Sequence, residues 1–90
     1  MAERTVTIAS ASGLHARPAA IFAEAAGEYD SLDITIEKPG EDGVDAASIL
    51  GLMALGAGYG DEVILRAEGE GAEEALDELA NLLSRDLDAE

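Results

Sequence analysis

The stretch Gly13-Leu14-His15-Ala16-Arg17-Pro18-Ala19-Ala20-Ile21-Phe22-Ala23-Glu24-Ala25-Ala26-Gly27 marks where a small-residue loop gives way to a helix. Pro18 falls in the first turn, where a missing N–H costs nothing because no intrahelical acceptor awaits it. Ala19, Phe22, Ala23 and Ala26 recur at i, i+3, i+4 and i+7, the spacing of one apolar helix face. Gly27 stands where such a helix would stop. The spacing predicts a helix over residues 16–26, entered from a loop over residues 10–13.

Outward from this helix the period changes. Thr5-Val6-Thr7-Ile8-Ala9 alternates polar and apolar, as a half-buried strand does, and Leu32-Asp33-Ile34-Thr35-Ile36 alternates again. Pro39-Gly40-Glu41-Asp42-Gly43 is a turn leading to a short third strand around Val44. Residues 48–55 read as a short apolar helix, closed by Gly56, Gly58 and Gly60. Glu62-Val63-Ile64-Leu65-Arg66-Ala67 is a fourth strand. Ala72, Ala75, Leu76, Leu79, Leu82 and Leu83 mark a last amphipathic helix, with Glu73 and Glu74 at its positive end and Arg85 at its negative end. The order β-α-β-β-α-β-α predicts an α+β fold: an open-faced two-layer sandwich, a four-stranded antiparallel sheet with three helices on one face. Residues 1–90 are read as a single domain, because a second core would not fit.

Composition narrows the function. Hydrophobic residues make up 48% of the chain and aromatic ones 3%, so the core is aliphatic and alanine-rich. The absence of cysteine removes disulfides and thiolate metal sites and fits an intracellular protein. A single histidine and scattered carboxylates make no metal cluster, so no metal and no cofactor are expected. The most apolar stretch, residues 44–59, is broken by Asp45 and several glycines and is too short to span a bilayer; the chain is expected to be cytoplasmic. The net charge is −15, from 20 acidic and 5 basic residues. Such a chain repels phosphate backbones and anionic lipid, which argues against nucleic acid and membrane partners. Acid spread along the chain, with Lys38 the only lysine, resembles proteins of salt-loving organisms, where the Debye length falls to about 3 Å at 1 M. Gly56-Ala57-Gly58-Tyr59-Gly60 lacks the lysine of a phosphate-binding loop.

His15 is the residue with chemistry to offer. It stands where loop becomes helix, where the first backbone N–H groups have no intrahelical acceptor and the dipole is positive. That is a natural seat for an anion, and a neutral imidazole there can attack phosphorus. Arg17 adds a fixed charge and a fork of donors matched to phosphoryl oxygens. On these grounds alone a lone surface histidine remains the commoner case.

Gly13-Leu14-His15-Ala16-Arg17-Pro18-Ala19 closely resembles the active-site signature of the histidine-containing phosphocarriers, the HPr family of the phosphoenolpyruvate-dependent sugar phosphotransferase system. Ser48-Ile49-Leu50-Gly51-Leu52-Met53-Ala54-Leu55-Gly56 looks like a second family segment at the expected distance. Gly60-Asp61-Glu62 and Ala67-Glu68-Gly69 look like the bounds of the family's last strand. The resemblance spans essentially the whole chain and implies an HPr-like fold. It implies that His15 is phosphorylated through Nδ1. The N–H groups of Ala16 and Arg17 would hold the phosphoryl oxygens, Arg17 would neutralise them, and Pro18 would shape the phosphate-binding turn. It further implies a carrier that is no enzyme by itself, accepting phosphate from enzyme I and donating it to enzyme IIA domains, and expected to be a monomer.

The resemblance assigns Ser48 to a position that an HPr kinase/phosphorylase modifies in many relatives. Ala47 stands where a basic residue commonly precedes that serine, and a helix-capping role for Ser48 is the preferred reading. A short helix that is apolar on nearly every side cannot bury all of it; the resemblance implies an apolar docking patch on this helix and the first, and Ala20, Ile49, Leu50 and Met53 are expected to form it. The alternatives are a relay serving dihydroxyacetone or nitrogen-linked regulation, and a docking module of the same fold. A docking module has no need of His15. A small-ligand domain would need a lined pocket that nothing in the sequence marks.

Overall fold

The alternating segments become strands with one face turned inward, half-buried in the first and fully buried in the central ones, in a computed structural model that describes residues 2–11, 13, 14, 16–29 and 31–85. The strands are β1 (Ala2–Thr7), β2 (Asp33–Glu37), β3 (Val44–Asp45) and β4 (Glu62–Glu68). The helices are α1 (Ala16–Gly27), α2 (Ile49–Leu55) and α3 (Ala72–Leu83), giving the predicted order. All pairings are antiparallel in the sheet order β1-β4-β2-β3. Central β4 pairs with β1 from Ala2↔Ala67 to Thr7↔Glu62, and with β2 from Asp33↔Glu68 to Glu37↔Ile64.

Because strand side chains alternate, this register stacks Ile34 and Ile36 beside Val63, Leu65 and Ala67 on the helix side of the sheet, all buried. Phe22 of α1, Leu52 of α2 and Leu76, Leu79 and Leu83 of α3 close the core over them. The opposite face meets solvent. There Arg66 of β4 bonds Glu3 of β1 (Nε–Oε2 2.8 Å) and Glu37 of β2 (Nη1–Oε1 2.5 Å). The hydrogen bond that Arg66 donates to Glu3 leads in raising the Arg66 pKa, so this guanidinium stays charged. Arg4 reaches from β1 to Asp77 (2.9 Å) and Glu73 (3.4 Å) of α3, holding the last helix against the first strand.

Boundaries shift by one residue from the sequence reading at β2 (33–37 against 32–36), at the end of β4 and at the start of α2, and two further differences have a visible cause. β1 begins at Ala2 and ends at Thr7, whereas the alternation pointed to residues 5–9. Ile8 leaves the ladder because its N–H donates to the Asp61 carbonyl (2.9 Å) and its own carbonyl accepts from Gly60 N–H (2.9 Å). Gly27 is the last residue of α1 and is not among the glycines with positive φ. The chain instead tightens into i→i+3 turns, with Glu28 N–H on Ala25 (3.2 Å) and Tyr29 N–H on Ala26 (3.1 Å).

Candidate functional site

The loop between β1 and α1 is pinned at several points before the helix starts. Ala9 N–H donates to the Leu83 carbonyl (3.0 Å), and Gly13 N–H donates to Ser10 (2.8 Å). Leu14 N–H donates to the Ala57 carbonyl (2.8 Å), and the Leu14 side chain is buried. Gly13 lies at φ +74°, and a Cβ built on it would stand 2.5 Å from the Ala57 oxygen and 2.7 Å from Gly58 Cα. Only a glycine lets the two loops approach this closely.

The second loop, between α2 and β4, carries its own fastening. Gly58 N–H donates to Asp61 Oδ2 (2.9 Å), and Asp61 N–H returns to the Gly58 carbonyl (3.0 Å). Lys38 Nζ lies 3.9 Å from the same carboxylate oxygen. Asp61 therefore links this loop to the end of β1 through Ile8 and, by charge, to the end of β2.

His15 lies outside the described residues. Its neighbours set the scene: α1 opens at Ala16, and its first turn holds no acidic side chain. Arg17 is exposed there, and Pro18 is fully buried beneath the turn. A helix start, whose first N–H groups have no intrahelical acceptor, with a positive dipole and the exposed Arg17, favours an anion of phosphate type.

Ser48 caps α2 as expected: its hydroxyl accepts from Gly51 N–H (3.0 Å), and Gly56 ends the helix at φ +70°. A cap of this kind is worth about 0.5–2 kcal/mol. Leu52 and Leu55 turn into the core, while Ile49, Leu50 and Met53 remain 45%, 80% and 37% exposed. Ala20 is exposed on α1, which packs against α2. Among the described residues, one cleft is lined by Ala2, Arg4, Glu68 and Glu73 and another by Ala26, Tyr29, Thr35 and Val44, both away from Leu14, Arg17 and Ala20. Among the described residues no cluster of three or more His, Cys, Asp or Glu could hold a metal, and no helix is long and apolar enough to cross a membrane.

Sequence reasoning missed Ala57, Gly58 and Asp61 as the buttress of the loop before the helix, and it passed over Tyr59, which is 70% exposed. The glycine cluster at residues 56–60 was their one visible signal.

Comparison with known proteins agrees with this arrangement. A family model described as "PTS HPr component phosphorylation site" matches residues 2–85. The phosphocarrier protein HPr of Streptomyces coelicolor is 47% identical over 88 residues, covering 98% of this chain and 94% of that protein. HPr of Haloferax volcanii is 48% identical over 83 residues, covering 91% and 92%. A crystal structure of HPr from Bacillus anthracis superposes with a TM-score of 0.84 at 41% identity, covering 91% of this chain and 95% of that one. The relatives also include proteins called Crh and NPr, and the similar structures include an HPr dimer and a Crh dimer.

Proposed function

The chain belongs to the HPr family of phosphotransferase-system phosphocarriers, and from that membership we propose that His15 accepts a phosphoryl group from phospho-enzyme I and donates it to enzyme IIA domains in carbohydrate uptake. The observation that carries this is the signature Gly13-Leu14-His15-Ala16-Arg17-Pro18 at the start of α1, in a chain whose whole fold is that of the family. Phosphocarriers of this family are not catalytic enzymes; they hold a covalent intermediate for the next protein to take.

In this reading the His15 Nδ1 lone pair attacks the phosphorus carried by enzyme I, and the donor's bond to phosphorus breaks with its electron pair. The N–H groups of Ala16 and Arg17 and the Arg17 guanidinium take up the charge on the phosphoryl oxygens. Pro18 fixes the turn from below. Few contacts hold the group, so the acceptor protein can remove it by the reverse displacement. Ala20, Ile49, Leu50 and Met53 serve as the apolar docking patch, since three large side chains there stay exposed. Met53→Glu is expected to raise the KM for phosphorylation by enzyme I about tenfold, measured in steady-state transfer. A single domain in the cytoplasm suits this role. The Crh and NPr relatives leave a regulatory or nitrogen-linked relay as the second reading.

The test is transfer of labelled phosphate from phosphoenolpyruvate through the cognate enzyme I, to wild type and to His15→Ala, in dilute and multimolar salt. Acid-labile label is expected on wild type alone, and label on His15→Ala would refute the assignment. A net charge of −15 supports stronger transfer in high salt, where self-repulsion is screened.

A further inference from the structure

The peptide unit that joins Ala57 to Gly58 is held at both ends. Its N–H, on Gly58, donates to Asp61 Oδ2 (2.9 Å), and its carbonyl, on Ala57, accepts from Leu14 N–H (2.8 Å). A trans peptide is planar, with N–H and C=O pointing to opposite sides. One amide therefore carries a continuous chain of hydrogen bonds from the Asp61 carboxylate to Leu14. Each bond in such a chain polarises the next, and a carboxylate at its head strengthens both. The residue after Leu14 is His15.

Asp61 is itself fixed by its backbone. Its N–H donates to the Gly58 carbonyl (3.0 Å), and its carbonyl accepts from Ile8 N–H (2.9 Å) at the end of β1. The peptide it holds is one that could turn over. A plane followed by glycine rotates at little steric cost, because Gly58 has no Cβ to oppose either sign of φ. With the plane reversed, Gly58 N–H would face Leu14 N–H, donor against donor. The Asp61 carboxylate opposes that reversal from the side away from Leu14, through a partly buried bond for which water competes less.

We propose that Asp61 is a positioning residue for phosphoryl transfer: its carboxylate locks the Ala57–Gly58 peptide, which fixes Leu14 and so the place from which His15 presents its imidazole. This inference rests on the phosphocarrier reading. Attack on phosphorus depends on placement of the nucleophile, and an error of about 1 Å can cost about 100-fold in rate. Alanine at position 61 removes the acceptor for Gly58 N–H, whereas asparagine keeps an oxygen there and loses only the charge.

The experiment joins two measurements on wild type, Asp61→Ala and Asp61→Asn. One is steady-state phosphotransfer from cognate phospho-enzyme I with the carrier concentration varied, and the other is amide hydrogen exchange read by NMR. Asp61→Ala is expected to lower kcat about tenfold with KM near wild type, and to speed exchange at Leu14 about tenfold while the amides of β4 stay protected. Asp61→Asn is expected to recover most of the rate and most of the protection. A wild-type kcat in Asp61→Ala overturns the inference, as does a loss confined to KM. Faster exchange spread evenly over Leu14 and β4 also overturns it, since that would mark general loss of stability. These results leave the phosphocarrier reading standing, whereas absence of label on wild type removes that reading and this one together.

Discussion

Gly13→Ala should unfold some 12 to 24 °C below wild type and carry phosphate more slowly. The two effects share one cause. At φ +74° an L side chain is strained, and the new Cβ would stand 2.5 Å from the Ala57 carbonyl oxygen. That oxygen is the acceptor for Leu14 N–H, so relief of the clash must move the bond that precedes His15. Backbone strain of this class costs about 1–3 kcal/mol, and the upper figure applies when the clashing atom belongs to a backbone that is itself hydrogen-bonded. For a domain of this size each kcal/mol lowers the melting temperature by roughly 4–8 °C, which gives the stated fall. Thermal melting and the rate of label transfer, measured on one preparation, check both halves. A variant that melts like wild type would show that the two loops are less tightly apposed than their geometry requires.

The other large effect belongs to Phe22. It is the largest fully buried side chain, reaching from α1 into the layer between helices and sheet. The remaining buried core is leucine, isoleucine, valine and alanine, and Tyr29, which packs against it, is only partly buried and is held by its hydroxyl's bond to Glu78. Phe22→Ala is therefore expected to cost about 3–5 kcal/mol, transfer and cavity together. Domains have about 5–15 kcal/mol in hand, and one of this length sits low in that range. The variant should lose most of its cooperative melt at physiological temperature, and Phe22→Leu should recover much of it. Denaturant titration of the pair decides the matter: a loss below about 1 kcal/mol would mean that the site collapses around the deletion.

The sequence predicts these elements where burial alone sets the pattern. Ile34 and Ile36, Val63 and Leu65, and the leucines of α3 announce their strands and helix because one face of each must be apolar. The boundaries depend on partners elsewhere in the chain. Alternation continued through Ile8, yet β1 ends at Thr7 because Asp61 and Gly60 capture the next residue. Gly27 had the composition of a left-handed stop, but i→i+3 bonds at Glu28 and Tyr29 end α1 without one. The site divides in the same way. Arg17 and Pro18 are legible because they are neighbours in the chain, and Ser48 because a cap is local. The support that Ala57, Gly58 and Asp61 give to Gly13 and Leu14 crosses more than forty residues, and no local pattern encodes it.

The strand order has a consequence for how the chain is made. The middle of the sheet, β4, is the sixth of seven elements to leave the ribosome, and it is the partner of both β1 and β2. Until residues 62–68 have emerged, the first strand has no ladder to join, and β2 has only the two-residue β3 beside it. Nascent chains up to that point hold helices and one weak local hairpin, and the β1–β4 ladder that comes later is non-local and slow to form. The four-stranded sheet therefore forms only after β4 has emerged, and quality control meets β1 and β2 until then as strands without their central partner.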